Sequence, residues 1–237
     1  MTGASSGLGL ACAQALASEG VSIAIAARSA ARLTDAATTI AGGAHQIVAD
    51  VSTTDGVAAM ISAAESELGG IDILIANAGG PPPGNFADTE LDAYEPALRL
   101  NLLSTVAMCK AVVPGMQERG WGRVVAITSI SVREPIDRLI LSNTARAGLT
   151  GFLKTLAREV AGDGVTVNSL QPGSHATDRL HSVYGSDLSS VAAGIPVGSV
   201  GEPTDFGRLA AFLCSDSAKF VTGAAIPVDG GASHGLQ

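Results

Sequence analysis

Short, almost uninterrupted apolar runs alternate along this chain with longer stretches in which apolar residues recur every three or four positions. The runs Val21–Ala27 (VSIAIAA), Ile71–Ala76 (IDILIA), Gly122–Thr128 (GRVVAIT) and Val165–Leu170 hold few polar positions and read as strands buried on both faces. Two shorter strands are predicted at His45–Ala49 and Ala225–Val228. Helical spacing predicts helices over about Gly7–Glu19, Ala30–Ile40, Thr54–Leu68, Asn143–Ala161 and Pro203–Ser215. A long helical stretch, Thr89–Arg119, should be interrupted near Pro96 and Pro114. This alternation predicts an α/β fold: one doubly wound parallel sheet covered by helices on both faces, in a single domain over residues 1–237.

Composition narrows the function classes. A chain of 237 residues with 46% hydrophobic content suits one such domain with a full core. The formal net charge of −8 argues against nonspecific binding to nucleic acid or to an anionic membrane. No apolar run reads as reaching bilayer length and no basic-then-apolar leader is seen, so the expected location is cytoplasmic. Cys12, Cys109 and Cys214 are far apart in apolar helical contexts and read as buried free thiols. The four histidines form no i, i+4 pair, so no metal site is expected.

Candidate chemistry begins at the first residues. Thr2-Gly3-Ala4-Ser5-Ser6-Gly7-Leu8-Gly9 has the T-G-x-x-x-G-x-G form of a glycine-rich turn that leads into a helix and offers bare backbone N–H groups to a phosphate. Gly3 supplies an unusual backbone angle, Gly7 a close approach to a pyrophosphate, and Gly9 close packing of the new helix on the sheet. The strand that follows this helix ends Ala26-Ala27-Arg28-Ser29. A carboxylate there would bind a ribose 2′-hydroxyl and repel a 2′-phosphate, whereas the Arg28 guanidinium can pair with the phosphate. NADP(H) is therefore expected over NAD(H).

These residues, with others in order along nearly the whole chain, resemble the short-chain dehydrogenase/reductase family, and within it the 3-oxoacyl-thioester reductases. The resemblance rests on Thr2–Gly9, Asp50-Val51, Asn77-Ala78-Gly79, Asn101, Ser129, Asn168, Pro172-Gly173 with Thr177, and Val221-Thr222-Gly223 through Val228-Asp229-Gly230-Gly231. It implies a Rossmann-type sheet. It also implies that Gly3, Ser5, Ser6, Gly7, Leu8 and Gly9 hold the pyrophosphate. Asp50 and Val51 would meet the adenine, Asn77, Ala78 and Gly79 would floor the cofactor site, and Pro172, Gly173 and Thr177 would hold the nicotinamide end. Ser129 takes the place of the serine that positions the substrate carbonyl, and Asn101 that of the asparagine that anchors a proton-relaying water.

The resemblance fails at the other two catalytic positions. The family's tyrosine falls at Ser142 and its lysine at Arg146, so Tyr-x-x-x-Lys reads Ser-x-x-x-Arg. A phenol titrates near 10, but an aliphatic hydroxyl is a far weaker acid and a shorter one. Arginine stays charged and lends no proton near neutral pH. Read as structure alone, Ser142 is the N-cap of the helix expected from Asn143. Other candidate donors are water through Asn101, Ser129, Ser131, or His175 and Tyr184 on a mobile segment. The function expected is a divergent NADP(H)-dependent oxidoreductase acting on a carbonyl or alcohol, a 3-oxoacyl thioester or small ketone. The alternative is a catalytically silent NADP(H)-binding sensor or scaffold.

Residues 174–200 are expected to form the substrate lid, and Arg133, Arg138, Arg146 and Arg179 to face an anionic substrate. Ala147, Gly151 and Thr155 form a small-residue helix face, which together with the resemblance implies a homotetramer. Only Met1 precedes the glycine loop, so the N-terminal strand that should lead into it is expected to be absent, by truncation or a late-assigned start.

Overall fold

A computed structural model describes residues 1–235. Its elements in chain order are α1 (Gly7–Ser18), β1 (Ala24–Ala27), α2 (Ala30–Thr38), β2 (His45–Val48), α3 (Thr54–Leu68), β3 (Ile73–Ala76), α4 (Tyr94–Leu98), α5 (Ser104–Glu118), β4 (Gly122–Ile127), α6 (Ile140–Val160), β5 (Val165–Pro172), α7 (Asp178–Tyr184), α8 (Ser189–Ala192), α9 (Pro203–Cys214) and β6 (Ala225–Val228). All strand pairs are parallel, β1 with β2 in one group and β3-β4-β5-β6 in the other.

Residues Met1–Ala4 join the two groups. The Ala26 N–H donates to Met1 O (2.8 Å), and the Thr2 N–H donates to Ile75 O (3.1 Å) on the opposite side. The layer thus runs β2, β1, Met1–Ala4, β3, β4, β5, β6. Beside Met1 a cavity of about 360 Å³ is lined by Val21, Ile23, Ile71, Ile73, Met60 and Trp121. Strands β1 and β3 begin at Ala24 and Ile73, later than their apolar runs predict.

Alternation along each strand splits the core in two. Val124, Ala126, Val165 and Val167 face α3, α5 and α6, while Val125, Ile127 and Leu170 face α1, α2 and α9. This is the pattern of a sheet covered on both sides. The closest helix approach is α1 against α9, where a Cβ on Gly207 would collide with Ala11 O.

Three expectations change. The long helical stretch is interrupted by a π turn at Arg99–Leu103 rather than at its prolines. Pro96 lies in the first turn of α4, where a missing N–H breaks no helix bond, and Pro114 is carried inside α5. Second, Leu91–Glu118 is long and apolar enough to cross a membrane, with a mean hydropathy of 1.3 in its most apolar window. Here α5 is an interior helix, its Met108, Cys109, Val112 and Met116 buried in the core. Third, α6 starts at Ile140 with Leu139 before it, so Ser142 is inside the helix and caps nothing. Cys12, Cys109 and Cys214 are buried free thiols, and burial pushes each up to about 12.

Candidate active site

The glycine loop is built by its contacts with the end of β3. Thr2 Oγ1 donates to Asn77 O (2.8 Å) and accepts from the Asn77 N–H (3.0 Å), while Asn77 Nδ2 donates to Gly3 O (3.0 Å). Gly3 has a φ of +56°, and a Cβ there would sit 2.8 Å from Asn77 Nδ2. A Cβ on Gly9 would collide with Gly3 O, so this glycine lets α1 fold back over its own loop. Helix α1 opens at Gly7 with no side chain on its first N–H groups. Those groups, with the helix dipole behind them, form a cradle for a phosphate.

This cradle is one end of a cleft of about 720 Å³ at the carboxyl ends of the strands. Gly3, Ser5, Ser6, Gly7 and Leu8 line it, and Gly9 supports it from behind. Arg28, Asp50 and Val51 line one end. The Ser52 N–H, 2.9 Å from Asp50 Oδ1, holds that carboxyl below its usual range. Asn77, Ala78 and Gly79 line it as well, and so do Pro172, Gly173 and Thr177 on another wall-forming segment, the end of β5 and the residues after it. A Cβ on Gly173 would stand 2.8 Å from Asp229 Cβ, so that wall also depends on a bare backbone.

Ser129, Ser142 and Arg146 line a further stretch of its wall. Ser129 follows β4 with an extended backbone and its Oγ accepts from the Ser131 N–H (3.1 Å). Arg146, one turn along α6 from Ser142, donates through Nε to Ser142 Oγ (3.3 Å). It also donates through Nη1 to Ile127 O (2.9 Å) and through Nη2 to Ala78 O (3.3 Å). The guanidinium therefore ties α6 to the ends of β3 and β4. Burial, with Arg179 nearby, pushes it down to about 10. Asn101 lies behind this wall in the π turn, 2% exposed, and neither amide atom has a partner among the described residues. Single π turns concentrate at functional sites.

Other candidates are removed from the chemistry. His175 lines the cleft but is fixed: its Nδ1 faces Gly173 O (3.2 Å), its ring meets Phe206 edge-on, and the ring fills the space a Cβ on Gly201 would need. Burial lowers its affinity for a proton. Tyr184 is exposed and does not line the cleft. The Ser131 hydroxyl is buried without a partner and away from the cleft surface. Arg133 is engaged with Gln171 and the Ala225 carbonyl, and Arg138 reaches toward Asp88, so the expected four-arginine cluster reduces to Arg146 and Arg179.

Sequence reasoning missed Arg32 and Gly80. Arg32 lies in the first turn of α2, four residues after Arg28, and lines the same cleft, a spacing visible in the sequence. Gly80 supports Arg179, whose guanidinium occupies the space a Cβ would need. No local signal links residues 99 positions apart (179 − 80).

The profile of a family described as enoyl-(acyl carrier protein) reductase matches residues 3–233. The chain belongs to the short-chain dehydrogenase/reductase family. It is 34% identical to nodulation protein G of Azospirillum brasilense over 99% of this chain and 97% of that one. It is 31% identical to the 3-oxoacyl-acyl-carrier-protein reductase of Vibrio cholerae over 98% and 95%. Among solved structures, L-sorbose reductase from Gluconobacter frateurii, complexed with NADPH and L-sorbose, superposes with a TM-score of 0.91 at 33% identity, covering 100% and 96% of the two chains. An NADPH-dependent reductase involved in bacilysin biosynthesis gives 0.93 at 28%, covering 99% and 97%. This short-chain dehydrogenase/reductase therefore has the Rossmann-like fold and the reductase relatives that its strand-end motifs imply.

Proposed function

We propose that this protein is an NADP(H)-dependent carbonyl reductase whose proton delivery differs from that of its family. The observation that carries the reading is that the glycine cradle, the Asn77–Gly79 floor and the Ser129 hydroxyl line one cleft at the strand ends. The residues fit a dinucleotide: Gly3 and Gly9 leave room that a Cβ would fill, and the first turn of α1 is uncapped. NADPH, when bound, supplies the hydride. The cradle holds its pyrophosphate, Arg28 with Arg32 its 2′-phosphate, and the ionised Asp50 accepts from the adenine side. Pro172, Gly173 and Thr177 keep the nicotinamide against the wall. L-sorbose reductase, NADPH-bound and similar over the whole chain, supports the choice of NADP(H).

At the reacting end, the Ser129 O–H donates to the substrate carbonyl oxygen and orients it. The proton that completes the alcohol comes from a water held by Asn101, whose two buried amide atoms otherwise lack partners. Ser142 is too short to replace a phenol; with Arg146 it orders the wall instead. The 174–200 segment, with its two short helices, closes over the substrate. The exposed small face of α6, Ala147, Gly151 and Thr155, packs on a second copy in a homotetramer. Buried thiols suit a reducing cytoplasm.

The absent phenol supports a second reading, a protein that binds NADP(H) without turnover. Purified protein mixed with NADPH and a panel of ketones, 3-oxo acids and 3-oxoacyl thioesters separates the two. Cofactor oxidation with any of them supports the reductase. Tight NADPH binding with no oxidation across the panel overturns it.

A further inference from the structure

Arg146 presents an unbalanced charge. The residue is 8% exposed, and the three hydrogen bonds of its guanidinium all go to neutral oxygens. Among the described residues no carboxylate stands within ion-pair distance of it or of Arg179. The charged group that acts on it is Arg179. The two guanidiniums flank one short turn, Arg146 on the carbonyl of Ala78 and Arg179 against Gly80. The acidic residues on the cleft are Asp50, beside Arg28, and Asp178, at the exposed start of α7. A buried cation beside a second cation is unfavourable, because the buried one loses hydration and the two repel. That cost persists unless an anion enters between them.

We propose that the substrate is an oxo acid, a carbonyl compound whose carboxylate is held by Arg146 and Arg179 while Ser129 holds its carbonyl oxygen. This rests on the reductase reading and names its substrate class. Arg146 uses three of its five N–H donors on the protein, which leaves two for a carboxylate. Arg179, exposed on α7, adds the second cation from the opposite side of the turn. Ser129 and Arg146 both line the cleft, and Arg146 is anchored on the carbonyl of Ile127, two residues before Ser129, so carbonyl and carboxylate are to be separated by few atoms, as in 2-oxo and 3-oxo acids. The cofactor's pyrophosphate is the competing anion, but its cradle is at the start of α1, while Arg146 is anchored at the ends of β3 and β4.

The test compares acids with their neutral esters: 3-oxobutanoate with its methyl ester, and pyruvate with methyl pyruvate. Expected is a kcat/KM about 10–100-fold higher for the acid of at least one pair, as charge-assisted hydrogen bonds predict. In Arg179→Ala that preference should fall about tenfold through KM, with NADPH affinity unchanged. Separately, calorimetry with malonate, which has no ketone or alcohol to exchange a hydride, reads the anion site on the NADP⁺-loaded protein without turnover. Carboxylate binding that weakens in Arg179→Ala supports the proposal even where no carbonyl is reduced, which would sink only the reductase reading. Esters reduced as well as acids overturn it and leave the reductase standing. Loss of NADPH affinity in Arg179→Ala with the acid preference intact also overturns it, by assigning Arg179 to the cofactor.

Discussion

Replacing Ser142 by tyrosine together with Arg146 by lysine tests the proposed reductase reading, in which the want of a phenol limits turnover. The hydroxyl of Ser142 ends one bond beyond its Cβ, whereas a tyrosine there, on the first turn of α6, would carry a phenol into the cleft that Ser142 lines. A properly aligned general acid is worth about 10²–10⁴-fold. In barrier height that is about 2.7–5.4 kcal/mol. The gain should lie at the lower end, near ~10²-fold, because lysine cannot reproduce the Arg146 fork. Arg146 holds Ile127 O and Ala78 O with two separate nitrogens, and one ammonium would leave a carbonyl or the new phenol short of a partner. The assay is NADPH oxidation with the best carbonyl from the panel, across pH. The new activity should fall as pH rises above the phenol's apparent pKa, where the phenol no longer holds the proton that carbonyl reduction needs. NADPH affinity, followed by fluorescence, serves as the control. A folded double variant that binds NADPH as the parent does and turns over no faster would refute the reasoning: the phenol would not be the missing element.

Other outcomes follow from the same geometry. Gly9→Ala puts a methyl against Gly3 O, and should cost about 1–3 kcal/mol of stability and most of the NADPH affinity, read by thermal unfolding with and without cofactor. Arg28→Asp should lower NADPH affinity about 10–100-fold with little change for NADH, by loss of charged hydrogen bonds at the 2′-phosphate; equal losses for both would place Arg28 outside the cofactor site. His175 should make acid destabilising. Its folded pKa is lowered from 6.5 by burial, so the unfolded chain takes up the proton first and stability is lost as pH falls below 6.5. His175→Phe should flatten that limb in denaturation curves between pH 7.5 and 5, and an unchanged slope would show that other groups carry it. Gly151 is exposed with open space around it, so Gly151→Arg should shift light scattering from a tetramer to a smaller species if α6 is the interface.

The sequence alone determined the order of strands and helices, the glycine cradle and most of the cleft's cofactor wall, because these depend on local period and on residue types at strand ends. The consecutive apolar residues Val124, Val125 and Ala126 announce a sheet buried on both faces, and Gly3 and Gly9 announce a backbone that must be bare. The resemblance also implied that Ser142 and Arg146 stand where the family has a phenol and an amine. Only the tertiary structure decided what those two do. Ser142 is inside α6 and accepts from Arg146, because the helix starts at Ile140, set by contacts of the preceding segment such as Ile140 N–H to Gly84 O. The partners of Arg146 are 19 and 68 positions away, and no periodicity encodes them. Of four arginines that composition left equivalent, packing engaged Arg133 with β5 and β6, sent Arg138 toward Asp88, and left Arg146 and Arg179 together in the cleft. Charge is a property of residue type, but whether it is spent on the protein or left for a ligand depends on long-range neighbours, which only the fold assembles.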